Sequence, residues 1–233
     1  MNVDRAFLET IALPLAEAAY TGAALPSGFH LISRIQSAEF PAFGFVARGG
    51  SALFIALRGT ERPEEWLQDF DDVMQPIGVM RIHAGFERVF EAVWPSILPA
   101  LAGIVFDTEI CCIGHSLGAA VATLVATHIA HGSSVAVTAV VFASPRVGDA
   151  EFRAACDAKV TLLRVVNAKD IVNHVPMRPE FTHAGLAVLF DGWRLAGEDV
   201  AKRLDARFQH SLALSYGPGV ASLAAAPDKI ILS

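Results

Sequence analysis

Cysteine is scarce, and its placement suits neither a disulfide framework nor a metal site. The 233 residues contain three. Cys111 and Cys112 are neighbours in an apolar run and Cys156 stands alone. They read as two small core side chains and one semi-buried thiol. Charge is sparse too: 18% of residues are Asp, Glu, Lys or Arg, and the net charge is -6. There is no Lys/Arg-rich run, which argues against nucleic acid as a partner and against electrostatic attraction to anionic membranes. An uncharged or apolar substrate fits this balance better. No run is long enough to be a transmembrane segment. The longest nearly apolar stretch, Leu117 to Ala130, is interrupted by Thr123, Thr127 and His128. Met1-Asn2-Val3-Asp4-Arg5 lacks the basic n-region and unbroken apolar h-region of a signal peptide. A cytoplasmic location is therefore expected, with a secreted mature form left open. Internal repeats and low-complexity linkers are absent, so one domain over residues 1–233 is expected.

What is plentiful is apolar side chain. Hydrophobic residues make up 53% of the chain, and mean hydropathy is +0.45. That supports a substantial core and argues against disorder.

Periodicity sketches the architecture. Phe7, Leu8, Ile11, Leu15, Ala18 and Ala19 recur at helical spacing over residues 4–20. Phe43–Ala47 and Ala52–Leu57 read as strands joined by the turn Arg48-Gly49-Gly50-Ser51. Glu61–Met74 is a polar segment with helical periodicity. His83–Leu101 is a longer one containing Pro95. Glu109–Ile113, Val135–Ala143, Val160–Asn167 and Gly185–Phe190 are short apolar runs of strand type, and Ala119–Ala130 is a small-residue helix. Phe43–Leu57 and Gly185–Leu195 look like antiparallel hairpins at the edges. The sum is a mixed, mostly parallel α/β sheet with helices on both faces.

One turn stands out. Gly114-His115-Ser116-Leu117-Gly118 has the form G-x-S-x-G, follows a buried-type strand and opens an apolar helix. In that context it reads as a nucleophile elbow of the α/β-hydrolase type. Ser116 is the candidate nucleophile, and the N–H of Leu117, at a helix N-terminus, the first candidate oxyanion donor. His115 reads as a packing residue whose side chain diverges from the serine. A serine nucleophile needs a base and an orienting carboxylate, in the chain order Ser, Asp/Glu, His. Asp170, just past the strand Val160–Asn167, is the preferred acid. Asp149 reads as turn chemistry, and Asp191-Gly192 as a hairpin turn. Three histidines follow: His174, His183 and His210. His210, late in the chain, matches the topology best.

At this point the sequence resembles the class 3, or fungal-type, lipases of the α/β-hydrolase fold. Several segments carry the likeness, in order, from about Ala52 to Tyr216. Phe54-Ile55-Ala56-Leu57-Arg58-Gly59-Thr60 resembles a strand ending in Arg-Gly-Ser/Thr. Trp66-Leu67-Gln68-Asp69 resembles a Trp-x-x-Asp of the lid region, and Ile82-His83-Ala84-Gly85-Phe86 a Val-His-x-Gly-Phe. Phe142 to Asp149 resembles a Pro-Arg-Val-Gly-Asn/Asp segment. Asn167 to Pro176 is similar to Asn-x-x-Asp-x-Val-Pro, with Asn173 standing where the family often has Pro. Phe181-Thr182-His183-Ala184-Gly185 resembles a non-catalytic motif, and His210-Ser211 the final His segment. The resemblance implies a Ser116–Asp170–His210 triad, with Thr60 as second oxyanion donor. It also implies a lid at 61–74; Trp66, Leu67, Phe70, Val73 and Met74 share one helical face there, a pattern that suits either an amphipathic cover or an ordinary surface helix packed on the core.

The activity so implied is hydrolysis of acylglycerols or other acyl esters, through an acyl-enzyme, with no metal or organic cofactor. The substrate is an acyl ester or lipid, met at a lipid–water interface or as a soluble ester. Alternatives are an esterase or phospholipase A1-type acyl hydrolase, or a non-catalytic lipase-like binding protein.

Overall fold

The computed structural model describes residues 1–60, 73–102, 104, 108–177, 179–196 and 199–223. Seven strands form one sheet: β1 (Phe29–Ile35), β2 (Gly44–Gly49), β3 (Ala52–Leu57), β6 (Ile110–His115), β7 (Val137–Phe142), β8 (Val160–Asn167) and β9 (Leu186–Phe190), in that spatial order. β1–β2 and β2–β3 pair antiparallel, and every pairing from β3 to β9 is parallel. β4 (Met74–Ile77) and β5 (Met80–His83) form a separate antiparallel pair.

The period-2 geometry of strands divides the core between the two sheet faces. Leu53, Ile55 and Leu57 of β3, with Ile110 and Cys112 of β6, join the helices Ala84–Leu101 and Leu117–Gly132 on one face. Phe54, Ala56, Cys111 and Ile113 point the other way, against Ala12, Leu15 and Ala16 of the N-terminal helical segment and Tyr216 and Val220 near the C-terminus. Continuous apolar strands buried on both faces are what a parallel sheet requires. The helix Ala84–Leu101 continues through Pro95 and Pro99, with His83 Nδ1 capping its start by accepting the Gly85 N–H.

Some expectations need correction. The β2–β3 hairpin does not sit at an edge, because β1 covers it. β1 is the edge strand, and of its apolar residues Phe29, Leu31, Ile32 and Ile35 only Ile35 is buried. The expected Gly185–Leu195 hairpin does not form. β9 lies parallel to β8, and Asp191 Oδ1 accepts the Trp193 N–H to start the helical turn Gly192–Ala196. Cys156 is fully buried, not semi-buried. Met74, placed at the end of a helical segment, opens β4. The rest of that segment, residues 61–72 with Trp66, Leu67 and Phe70, lies outside the described residues.

Candidate active site

Ser116 occupies the turn between β6 and the helix Leu117–Gly132, with φ 59° and ψ -128°. A non-glycine residue rarely adopts a positive φ, so the surrounding structure must enforce it. Two glycines make the turn possible. A Cβ on Gly114 would lie 2.2 Å from Gly118 O, and one on Gly118 would lie 2.5 Å from both Leu57 O and Arg58 O. At Gly118 the elbow therefore packs backbone against backbone on the end of β3. Ser116 N–H donates to Phe142 O at 3.0 Å, tying the turn to β7 as well. Ser116 O accepts the Ala119 N–H at 2.9 Å and the Ala120 N–H at 3.3 Å. Leu117 N–H lies ahead of both donors at the helix start, where an amide has no preceding helical carbonyl to reach.

Thr60 follows Gly59, which lies just past the end of β3 and against Ser116. A Cβ on Gly59 would lie 2.8 Å from Ser116 Cβ and 2.9 Å from His115 O. Only glycine lets this arm come so close. Thr60 Oγ1 is buried with no hydrogen-bond partner among the described residues.

Asp170 and His210 meet across 40 positions of sequence. His210, the last residue of the short helix Ala206–His210, points Nδ1 at Asp170 Oδ2, 2.8 Å away. Asp170 sits just beyond the C-terminal end of β8, and Ser116 just beyond that of β6, where open α/β sheets collect their sites. Asp170 is 1% exposed, and it accepts the Val172 N–H at Oδ1 (3.0 Å) and the Tyr216 hydroxyl at Oδ2 (2.8 Å). Burial pushes the Tyr216 phenol well above its ordinary pKa, so it stays a donor. Ser116 Oγ and His210 Nε2 are both buried with no partner among the described residues.

The rejected candidates are occupied elsewhere. Asp149 Oδ1 caps the helix Ala150–Lys159 through the Phe152 N–H, and Oδ2 receives Arg81 N–H and Nε. His183 Nε2–H donates to Asn173 O at 2.8 Å, and His174 is exposed.

Several site residues escaped the sequence reading. His115 is not mere packing: its Nε2–H donates to His210 O at 2.9 Å, and its Nδ1 meets the Tyr20 hydroxyl at 2.6 Å. Asn173 Nδ2 donates to Asn167 O (3.1 Å) and to Tyr216 Oη (3.0 Å), so it braces the tyrosine that braces the acid. Asn167 Nδ2 in turn reaches Gln209 O and Gln209 Oε1, fixing the residue before His210. One signal was available. The chain has only two tyrosines, Tyr20 and Tyr216, and both converge here.

Known proteins share this arrangement of chain. The model for lipase (class 3) matches residues 54–180. Phospholipase A1-II 4 of Oryza sativa subsp. japonica is 37% identical over 179 residues, 62% of this chain and 44% of that protein. Phospholipase A1-II 3 of the same subspecies is 34% identical over 218 residues, 76% of this chain and 50% of that protein. The chain thus spans about half the length of the curated relatives it matches. The crystal structure of a triacylglycerol lipase from Penicillium expansum superposes with a TM-score of 0.68 at 20% identity, covering 82% of each chain. The fold is that of the α/β-hydrolases. With the family model covering more than half its length, the chain belongs to the class 3 lipase family.

Proposed function

We propose that this chain hydrolyses carboxylic esters of acyl lipids through Ser116, with His210 as general base and Asp170 as its orienting acid. One observation carries the reading: Ser116 Oγ and His210 Nε2 are both buried and unpartnered among the described residues, while His210 Nδ1 is held on Asp170. As Ser116 Oγ attacks the ester carbonyl, His210 Nε2 takes its proton. Asp170 keeps the proton of the neutral imidazole on Nδ1 and stabilises the imidazolium. The tetrahedral oxyanion is met by the N–H groups of Leu117 and Thr60, each donor of this kind contributing about 3 kcal/mol to transition-state binding. On collapse the alcohol leaves with the proton from His210. Water, activated by the same imidazole, then releases the acid and restores the serine.

The curated relatives are named phospholipase A1-II, which favours a phospholipid acyl ester. A neutral acylglycerol uses the same chemistry, as the name of the Penicillium triacylglycerol lipase suggests. Exposed Ile171 and Met177 follow Asp170, and exposed Leu214 follows His210. They support an apolar rim facing the acyl chains of a lipid–water interface. Among the described residues no helix is long and apolar enough to cross a membrane.

The test is hydrolysis of a p-nitrophenyl ester chain-length series by the wild type and Ser116→Ala. Turnover that disappears in the variant supports the reading, and turnover that survives sinks it. No turnover by the wild type on any ester favours the binding-protein alternative. A rate that jumps once substrate exceeds its solubility limit separates a lipase from a soluble-ester hydrolase.

A further inference from the structure

Three hydrogen bonds run in series behind the nucleophile. Gly59 N–H donates to Tyr20 Oη at 2.8 Å, Tyr20 Oη approaches His115 Nδ1 at 2.6 Å, and His115 Nε2 approaches His210 O at 2.9 Å. Chemistry fixes their direction. A carbonyl oxygen can only accept, so His115 carries its proton on Nε2. Its Nδ1 is then an acceptor, and the Tyr20 hydroxyl donates to it while accepting from Gly59. Burial, followed by the nearby His210, lowers the His115 pKa well below its ordinary value and keeps the ring neutral. The His115 and His210 rings lie 4.6 Å apart, and the Arg58 guanidinium lies 5.9 Å from the Tyr20 ring centroid.

The two ends of this series are functionally distinct. Gly59 is the residue before Thr60, so anchoring its N–H fixes the Arg58–Gly59 peptide, one peptide before that of the second oxyanion donor. His210 O belongs to the backbone of the general base. The residue in the middle, His115, precedes the nucleophile.

We propose that Tyr20 and His115 form a positioning relay that locks the oxyanion arm and the general base to the nucleophile turn as one unit. Neither touches the reacting atoms. Their role is to hold Thr60 and His210 at fixed distances from Ser116, where a displacement of about 1 Å costs as much as 100-fold in rate. The inference rests on the ester-hydrolase reading above.

The experiment measures p-nitrophenyl ester hydrolysis and inhibition by phenylboronic acid, whose tetrahedral serine adduct presents an oxygen to the oxyanion donors. Tyr20→Phe should lower kcat about 10- to 100-fold while KM stays within about twofold. Boronate affinity should fall by the same factor as kcat/KM. His115→Gln retains a donor for His210 O but gives Tyr20 no acceptor in the Nδ1 position, so it should show the same split. It also carries the test if Tyr20→Phe does not melt cooperatively. The double variant should be no worse than the worse single one within about twofold, because one chain of bonds breaks only once. Wild-type kcat and boronate affinity in either variant, or losses that multiply in the double, overturn the relay alone. A wild type that neither turns over esters nor binds the boronate overturns the hydrolase reading and the relay with it.

Discussion

Tyr216 donates its hydroxyl to the same Asp170 oxygen that faces His210, and both distances are 2.8 Å. One carboxylate oxygen therefore orients the His210 imidazole while a buried phenol orients the carboxylate. Asn173, at the position where the family pattern often has proline, supplies the side-chain donor that holds the phenol, beside the Asn167 N–H. A proline there has no side-chain donor, so the chain's departure from the pattern has a local use.

Tyr216→Phe removes one of the two donors to Oδ2 and leaves Asn173 Nδ2 without that acceptor. A loss of about 1–3 kcal/mol in stability is expected, with about a 10-fold fall in kcat. Asn173→Ala, which leaves the phenol–carboxylate bond in place, should cost less activity than Tyr216→Phe. Chemical denaturation and steady-state kinetics on both variants check the order. Equal activity losses would contradict it.

Asp170→Asn preserves size but removes the charge that fixes the His210 tautomer. kcat should drop by about 10⁴-fold, as such substitutions do in serine triads, while the protein remains folded. Asp149→Asn, whose carboxylate is committed to Phe152 and Arg81, should instead lower stability by about 1 kcal/mol and leave kcat within about threefold. A reversed pattern would exchange the roles of the two aspartates.

Gly118→Ala places a Cβ 2.5 Å from two carbonyl oxygens, those of Leu57 and Arg58. Backbone cannot yield as a flexible side chain does, so a loss of at least about 2 kcal/mol is expected, or about 4–8 °C in Tm. Gly50→Ala meets nothing within 4 Å and carries only the strain of φ 59°. It should cost about 1 kcal/mol. Thermal melts of the two variants decide this, and equal shifts would show that the elbow does not press on β3 as described.

Acid should destabilise the fold through histidines that the folded chain holds neutral. Burial, then the charge of Arg164, lowers the His183 pKa from its ordinary 6.5 to about 3. Between those values the unfolded chain binds a proton that the folded chain does not. Stability from this group is therefore complete above pH 6.5 and is lost as pH falls toward 3. His115 acts in the same direction. The slope is about 1.4 kcal/mol per pH unit for each such proton. His183→Gln keeps a donor for Asn173 O without titrating, so its Tm should depend less steeply on pH over that window. An unchanged slope would contradict the assignment.

Much of the fold was legible because β3, β6, β7 and β8 are apolar on both faces and end in polar or glycine-rich turns. β1 was not legible because Leu31 and Ile32 are adjacent and break the alternation of its apolar residues, at the point where the register shifts between Leu31 and Ser33. The sequence Asp191-Gly192 was misread because an Asp that starts a hairpin and one that caps a helical turn use the same local hydrogen bond. Gly192 is glycine for another reason: a Cβ there would lie 2.0 Å from Gln209 Oε1 and 2.4 Å from Asn167 Nδ2. Within the site, Ser116 and Asp170 stand just past strand ends, where local pattern reveals them. Tyr20 and His115 are 95 positions apart, so only the folded chain brings their bond into view.

The central claim is that Ser116 is an activated nucleophile with His210 as its base. Mass spectrometry after exposure to a fluorophosphonate tests it most directly. The wild type should gain one phosphonyl adduct, mapped to the peptide bearing Ser116. His210→Ala should label at least about 100-fold more slowly, and Ser116→Ala not at all. An unmodified wild type, an adduct on another residue, or labelling of His210→Ala at the wild-type rate would contradict the account.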